Sequence, residues 1–290
     1  MRKDKGRLKM KKAVLFGAGQ VGAMVSNLIG SSYRVICFAD NCEDKWGEKL
    51  FGIPVVSPTE SISFKPDLVC LCVTGNERVA EMKDQLKKLG FDGEIISAET
   101  FKLFDSRAAT LRLLAEQINA NNTEGDCAEL GVFRGDFAAL INGAFPGRKL
   151  HLFDTFEGFR EIDVEREKGL GFSKAGAGDF SDTSEESVRE KLPYPEKAVF
   201  HRGWFPETFR GLEGLSFSFV SIDADLYAPT AAALPVFWER LSPGGAIMVH
   251  DYNSLQYKGV KKAVDDFCAE IKRLPFPVPD LHGSCVIRKE

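Results

Sequence analysis

The stretch FSFVSIDADLYAPT, residues 217–230, runs an apolar segment into two carboxylates. Phe217, Phe219, Val220 and Ile222 read as a buried strand, with Asp223 and Asp225 directly after it and Tyr227 and Pro229 close behind. Acids at a strand end can hold a metal, take a proton, or simply open a turn or a helix. CAELGVFRGDFA offers a different chemistry: Glu129 ends a strand, and Gly131 and Gly135 follow at E-x-G-x-x-x-G spacing. An acid before so sparse a glycine loop suits a nucleoside without a pyrophosphate. LFDTFEGF ends another strand with Asp154, placed to accept two ribose hydroxyls, and ligands of such sheets sit at the carboxyl ends of the strands. Both acids also suit helix N-caps.

A third glycine turn lies near the start. Gly17, Gly19 and Gly22 make G-x-G-x-x-G between an apolar strand and a helix, and Asp40 ends the next strand. Glycines there let the backbone approach a pyrophosphate at a helix N-terminus, and the acid stands where ribose hydroxyls bind. The same turn can persist without a ligand. NAD or a nucleotide-sugar is the candidate occupant. No catalytic set follows, and about four expected strands leave no room for a dehydrogenase's own substrate domain.

These residues need sheets to position them. Strands and helices alternate from about residue 10 to 104, and restart at 123 after a helical segment, SRAATLRLLAEQINAN, expected to connect the two halves over 105–122. Alternation of this kind implies parallel sheets with helices on both faces. The expected class is therefore α/β, with two doubly wound Rossmann-like domains at 10–104 and 123–290. Between Thr155 and Glu190 lies a long polar, Gly-rich insertion, read as a lid over the site.

The bulk numbers exclude other classes. A chain of 290 residues suits two domains. A net charge of −4 gives no nucleic-acid footprint, and MRKDKGRLKMKK is a local basic exception, expected to be a solvated tail without the apolar core of a signal peptide. No run of about 18 apolar residues is present to span a membrane. Seven cysteines without a C-x-x-C pair, two of them inside LVCLCV, read as reduced core thiols of a cytoplasmic protein.

From about residue 123 onward the chain resembles the macrocin O-methyltransferase (TylF-type) family of class I S-adenosylmethionine-dependent enzymes. AELGVFRG, LFDTFEGF, HRGWFPETF, SIDADLYAPT, LSPGGAIMVHDY and GVKKAVDDF carry the resemblance in order. It implies a class I methyltransferase fold, methyl transfer to a sugar or glycoside hydroxyl, and a divalent metal, usually Mg²⁺. It implies S-adenosylmethionine at Glu129, Gly131, Gly135, Asp154 and Phe156, and Trp204 against the adenine, although a Trp is as often plain core. Ser184 either touches the cofactor or caps the next helix. Asp223 and Asp251 become metal ligands, and Asp225 is either a third acid of the site or a cap for the helix near Pro229. The family usually shows Asp-Asp-Tyr where this chain has His250-Asp251-Tyr252. Histidine is a poorer Mg²⁺ ligand but suits Mn²⁺, Zn²⁺ or Fe²⁺, and it can serve as a general base or as an ordinary satisfied side chain. The family also makes self-association plausible.

FADNCEDKWGEKLFGIPVVSP looks like the small Rossmann-type domain found in front of sugar acetyltransferases and some methyltransferases, which suggests a nucleotide, a nucleotide-sugar or a docking role. The rival readings are a non-catalytic nucleotide-binding protein and an NAD-dependent oxidoreductase working through the N-terminal half.

Overall fold

The computed structural model describes residues 10–30, 33–103 and 105–290, so residues 1–9 of the basic opening segment lie outside the described residues. The chain divides into two compact units, Met1–Asp105 and Ser106–Glu290.

The first unit starts with β1 (Lys11–Phe16), whose last four residues are fully buried, as expected of a central parallel strand covered on both faces. It continues through α1 (Gln20–Leu28), β2 (Tyr33–Ala39), β3 (Lys49–Leu50), β4 (Ile53–Val56), α2 (Pro58–Ser63), β5 (Leu68–Leu71), α3 (Asn76–Lys88) and β6 (Glu94–Ser97). The sheet order is β3-β4-β2-β1-β5-β6, and only β3 runs antiparallel to its neighbour. The sequence suggested about four strands and one long loop after Asp40. That loop instead folds a two-residue hairpin, because Phe51 and Gly52 take φ of +54° and +78°, the positive pair a tight β-hairpin turn requires.

The second unit opens with α4 (Ser106–Ala120), the segment expected to be a linker. It lies against the same unit's sheet, burying Arg107, Leu111, Leu114 and Ile118 along one face. Then follow β7 (Asp126–Leu130), α5 (Asp136–Ala144), β8 (Leu150–Asp154), α6 (Glu161–Gly169), α7 (Glu185–Lys191), β9 (Ala198–Arg202), β10 (Phe217–Ile222), α8 (Tyr227–Arg240), β11 (Leu241–Val249), α9 (Lys258–Glu270), β12 (Phe276–Pro277) and β13 (Cys285–Arg288). The order is β12-β13-β11-β10-β7-β8-β9, parallel from β11 to β9 and antiparallel at β13 and β12. The chain winds from β7 through β8 to β9 in one direction, then returns to the other side of β7 with β10 and β11. The switch point therefore falls between β7 and β10, at the carboxyl ends Leu130 and Ile222.

All seven cysteines are free, and all but Cys42 are buried. No described helix is long and apolar enough to cross a membrane.

A polar pair sits within this apolar sheet. His151 Nδ1 lies 3.0 Å from His201 Nε2, and Phe153 stacks on His201 at 4.4 Å. Burial, helped by the His151 charge, pushes His201 down to about 4 from its usual 6.5. A lowered histidine pKa favours the neutral form in the folded state, so its contribution to stability is present above about 6.5 and is lost as pH falls towards 4. The melting temperature should fall over that window, and the fall should be smaller in His201→Phe, which keeps the stacking. Differential scanning fluorimetry of both proteins from pH 7.5 to 4 checks it; parallel curves would remove His201 from the account.

Candidate active site

The site is assembled from loops that leave the sheet at the switch point. Each residue after a strand extends the ladder by one bond: Asp223 N–H donates to Leu130 O at 2.8 Å, and His250 N–H to Ile222 O at 2.9 Å. The loops after β7, β10 and β11 are thus fixed side by side. Gly131, at φ +83°, closes the first two together, for a Cβ there would lie 1.9 Å from Asp223 O. Gly135, at φ +77°, packs against Val188, whose side chain an added Cβ would meet at 2.8 Å.

On the β7–β8 side, Asp154 organises the glycine loop. One carboxylate oxygen accepts the Val132 and Phe133 N–H groups at 2.6 and 3.0 Å, and the other accepts Phe156 N–H at 2.7 Å. Phe156 turns its chain with φ +55° and buries its ring. Glu129 is 1% exposed and its Oε2 has no partner. Burial raises its pKa well above the carboxylate range, Arg107 opposes this, and Asp223 and Asp154 raise it further. An orphaned acceptor at the switch point fits a ligand with a donor group, such as the amino group of an amino-acid moiety. Trp204, in the loop after β9, carries the Arg160 guanidinium over its ring at 4.5 Å. Ser184 serves as a helix cap: its hydroxyl accepts Ser187 N–H at 3.1 Å at the start of α7.

On the β10–β11 side, three donors converge. His250 Nδ1 lies 2.9 Å from Asp223 Oδ1 and 3.0 Å from Asp251 Oδ2, and the three donor atoms all fall within 4.8 Å of one another. Asp223 Oδ2 turns the other way and accepts from Arg107 Nη1 at 3.0 Å. Arg107 is 8% exposed, reaches Ser221 Oγ at 3.3 Å with its other terminal nitrogen, and rests 3.7 Å above the Phe137 ring. Burial alone would raise the Asp223 pKa, but the His250 and Arg107 charges outweigh it and hold the carboxyl well below the usual range. Burial and Arg107 push His250 down, yet the two carboxylates overcome both and bring it to about 10. Asp225 is held well above the carboxylate range by burial and by the charges of Asp223 and Asp251. Asp225 and Asp251 both take φ +56°, a left-handed conformation that costs a non-glycine residue energy.

Of the two roles open to Asp225, capping is done by another residue. The N-cap of α8 is Leu226, without a side-chain bond, and Tyr227 N–H donates to Glu167 Oε1 at 2.5 Å. Glu167 belongs to α6 inside the long insertion, and burial raises its pKa. Glu167→Ala should cost about 2 kcal/mol of stability as the cap is lost, while Glu167→Gln, which keeps an acceptor, should cost less than half of that. Chemical denaturation of the two variants checks the ranking.

Arg107, Glu167 and His282 are absent from the sequence-derived set. His282 precedes β13; its Nδ1 lies 4.0 Å from Asp251 Oδ1 and its ring centroid 4.9 Å from that of His250. Arg107 left a signal in the sequence, since it occupies the apolar stripe of α4 at the i, i+4, i+7 spacing with Leu111 and Leu114.

In the first unit, Asp40 plays the part that Asp154 plays in the second. One of its oxygens accepts Ala18 N–H at 2.8 Å and Lys45 Nζ at 2.9 Å, and the other accepts Cys42 N–H at 2.9 Å. Gly17 and Gly22 are demanded by packing, with added Cβ atoms 2.7 Å from Cys72 O and 1.9 Å from Gly17 O; at Gly19 a Cβ would meet nothing within 4 Å.

Residues 71–289 match the model of the macrocin O-methyltransferase (TylF) family, and residues 9–97 match a C2185-like N-terminal family. The chain is 27% identical over 190 residues to 8-demethyl-8-(2,3-dimethoxy-alpha-L-rhamnosyl)-tetracenomycin-C 4'-O-methyltransferase of Streptomyces olivaceus, covering 62% of this chain and 71% of that protein. It is 28% identical to demethyldecarbamoylnovobiocin O-methyltransferase of Streptomyces niveus, over 57% of this chain and 66% of that protein. The solved structure of the O-methyltransferase NovP matches with a TM-score of 0.54 at 26% identity, over 63% of this chain and 79% of that one.

Proposed function

The chain belongs to the macrocin O-methyltransferase (TylF) family, with a class I methyltransferase fold in its second unit, and from that premise we propose that it moves the methyl group of S-adenosylmethionine to a hydroxyl of a sugar or glycoside. The observation that carries the proposal is the convergence at one switch point of Glu129 and Asp154 from the β7–β8 side with Asp223, His250 and Asp251 from the β10–β11 side, the two halves joined where Gly131 meets Asp223. In this reading Asp154 holds the ribose end of the cofactor and Glu129 the amino-acid end. Gly131 and Gly135 let the backbone pass close to the cofactor, with Phe156 packed beneath and Trp204 flanking the adenine. The bound cofactor supplies an electrophilic methyl sulfonium.

The acceptor reading draws on the Streptomyces olivaceus relative, whose name specifies a methylated rhamnosyl position. Asp223, His250 and Asp251 would hold a divalent ion in exchange for the His250 proton, and that ion would supply charge that makes a hydroxyl easier to deprotonate. The donor set fits such an ion, because adjacent ligands of an octahedral ion at about 2.1 Å stand about 3 Å apart, and His250 Nδ1 stands 2.9 and 3.0 Å from its two carboxylate neighbours. In this reading Asp225, the third acid beside the cluster, is the group left to take the hydroxyl proton. Orientation of the hydroxyl towards the sulfonium accounts for much of the rate. For the first unit we propose a nucleotide or nucleotide-sugar as ligand, at the open surface of Gly19 and next to the Asp40–Lys45 pair.

The test is transfer of label from methyl-labelled S-adenosylmethionine to a panel of nucleotide-sugars and glycosides, with each divalent ion supplied in turn. Labelled methyl ether on a sugar hydroxyl is expected. Transfer only to non-sugar hydroxyls, or to none, would overturn the acceptor class.

A further inference from the structure

We propose that the cluster of Asp223, His250 and Asp251 selects a borderline divalent ion of the Fe²⁺, Co²⁺ or Zn²⁺ class over Mg²⁺. The inference rests on the reading of this site as a methyltransferase centre and goes further, to the identity of the ion. Three features of the site argue for it.

The first is the donor set. Mg²⁺ wants a full shell of hard oxygens, whereas an imidazole nitrogen shares its lone pair best with later transition ions. The position that faces both carboxylates, at 2.9 and 3.0 Å, belongs to His250 Nδ1. An ion bound between Asp223 and Asp251 therefore cannot avoid it.

The second is charge. A hard ion depends on the negative charge of its ligands. Here the two carboxylates are opposed by Arg107, whose Nη1 occupies Asp223 Oδ2 at 3.0 Å. The guanidinium cancels part of the field that would hold Mg²⁺, and it confines Asp223 to one free oxygen. Donation from the imidazole is not weakened in the same way.

The third is a further nitrogen at the rim. His282 Nδ1 stands 4.0 Å from Asp251 Oδ1, with its side chain 56% exposed. The site is also built into the fold, for Asp251 is 4% exposed and fixed at φ +56°.

The experiment uses the full chain, stripped with a chelator, titrated calorimetrically with Co²⁺ and with Mg²⁺. Most sites with nitrogen and oxygen donors favour Co²⁺ somewhat, so the diagnostic quantity is the ratio of the two affinities and its change in His250→Asp. Wild type should favour Co²⁺ strongly, and the ratio should fall by about tenfold or more in the variant, which restores an all-carboxylate set. As a check that needs no variant, Mn²⁺ bound to wild type should show nitrogen modulation in its electron spin-echo spectrum. Equal affinities in wild type, an unchanged ratio in a folded variant, or no nitrogen modulation would each overturn the inference. S-adenosylhomocysteine is titrated into the same samples: if it binds while selectivity is lacking, only the inference fails, and if it does not bind, the methyltransferase reading fails with it.

Discussion

Asp223→Asn should lower the turnover number for methyl transfer by about a thousandfold or more, the order seen when a charge aimed at a reacting group is removed. The substitution is nearly isosteric, and the backbone N–H that bonds Leu130 O is untouched. What it removes is the negative charge that faces Arg107 at 3.0 Å on one side and His250 at 2.9 Å on the other. His250, until an ion displaces its proton, and Arg107 hold the carboxyl well below its usual pKa, so at neutral pH the native side chain is ionised and its loss cannot be offset by a proton. In the proposed reading cofactor affinity rests on Glu129, Asp154 and the glycine loop, and it should change no more than a few-fold. A variant that kept its turnover would remove Asp223 from the chemistry; one that lost cofactor binding in equal measure would make it a structural residue.

Arg107→Met should be the most destabilising of the substitutions considered, costing about 3–5 kcal/mol, the range for removing one partner of a buried ion pair. Methionine fills much of the same volume, so the cost arises from electrostatics rather than from a cavity. Asp223 would lose a hydrogen-bonded partner, and Ser221 would lose the terminal nitrogen at 3.3 Å. The Phe137 ring would lose the cation resting 3.7 Å above it. Because the two residues share one interaction, Arg107→Met and Asp223→Asn should not add. A double-mutant cycle in urea should return a coupling of about 1–3 kcal/mol, and an additive cycle would contradict the pairing.

Much of the architecture was legible in the chain because it is encoded locally. Apolar runs ending in Gly131, Asp154, Asp223 and Asp251 mark parallel strands and their carboxyl ends, and parallel strands carry all their ends to one rim. Short strands were harder. The β3–β4 hairpin rests on two positive φ angles at Phe51 and Gly52, and β12 and β13 are too brief for a period to stand out against a loop. Ser184 was ambiguous because the serine that opens SEES can cap or bind; with Ser187 returning the bond to its backbone, the cap takes the hydroxyl.

The residues missed are those brought in from afar. Arg107 is separated by 116 residues from Asp223, and nothing about a helix thought to link two domains says where its one buried charge will point. Glu167 reaches the start of α8 from inside an insertion whose sequence reads as polar loop. His282 lies beside His250 only because β13 returns antiparallel along β11. Tertiary contact of this kind has no local pattern. The exception is Arg107, where a charged residue in the apolar stripe of an amphipathic helix already implied a buried partner.

The central claim is that the switch point of the second unit is a cofactor site, and calorimetric titration with S-adenosylhomocysteine tests it most directly. The account predicts one-to-one binding with micromolar affinity, weakened in Asp154→Ala, where the proposed ribose contact is lost together with the bonds to two N–H groups of the glycine loop and to Phe156 N–H. Absence of binding to the folded wild-type chain would contradict it.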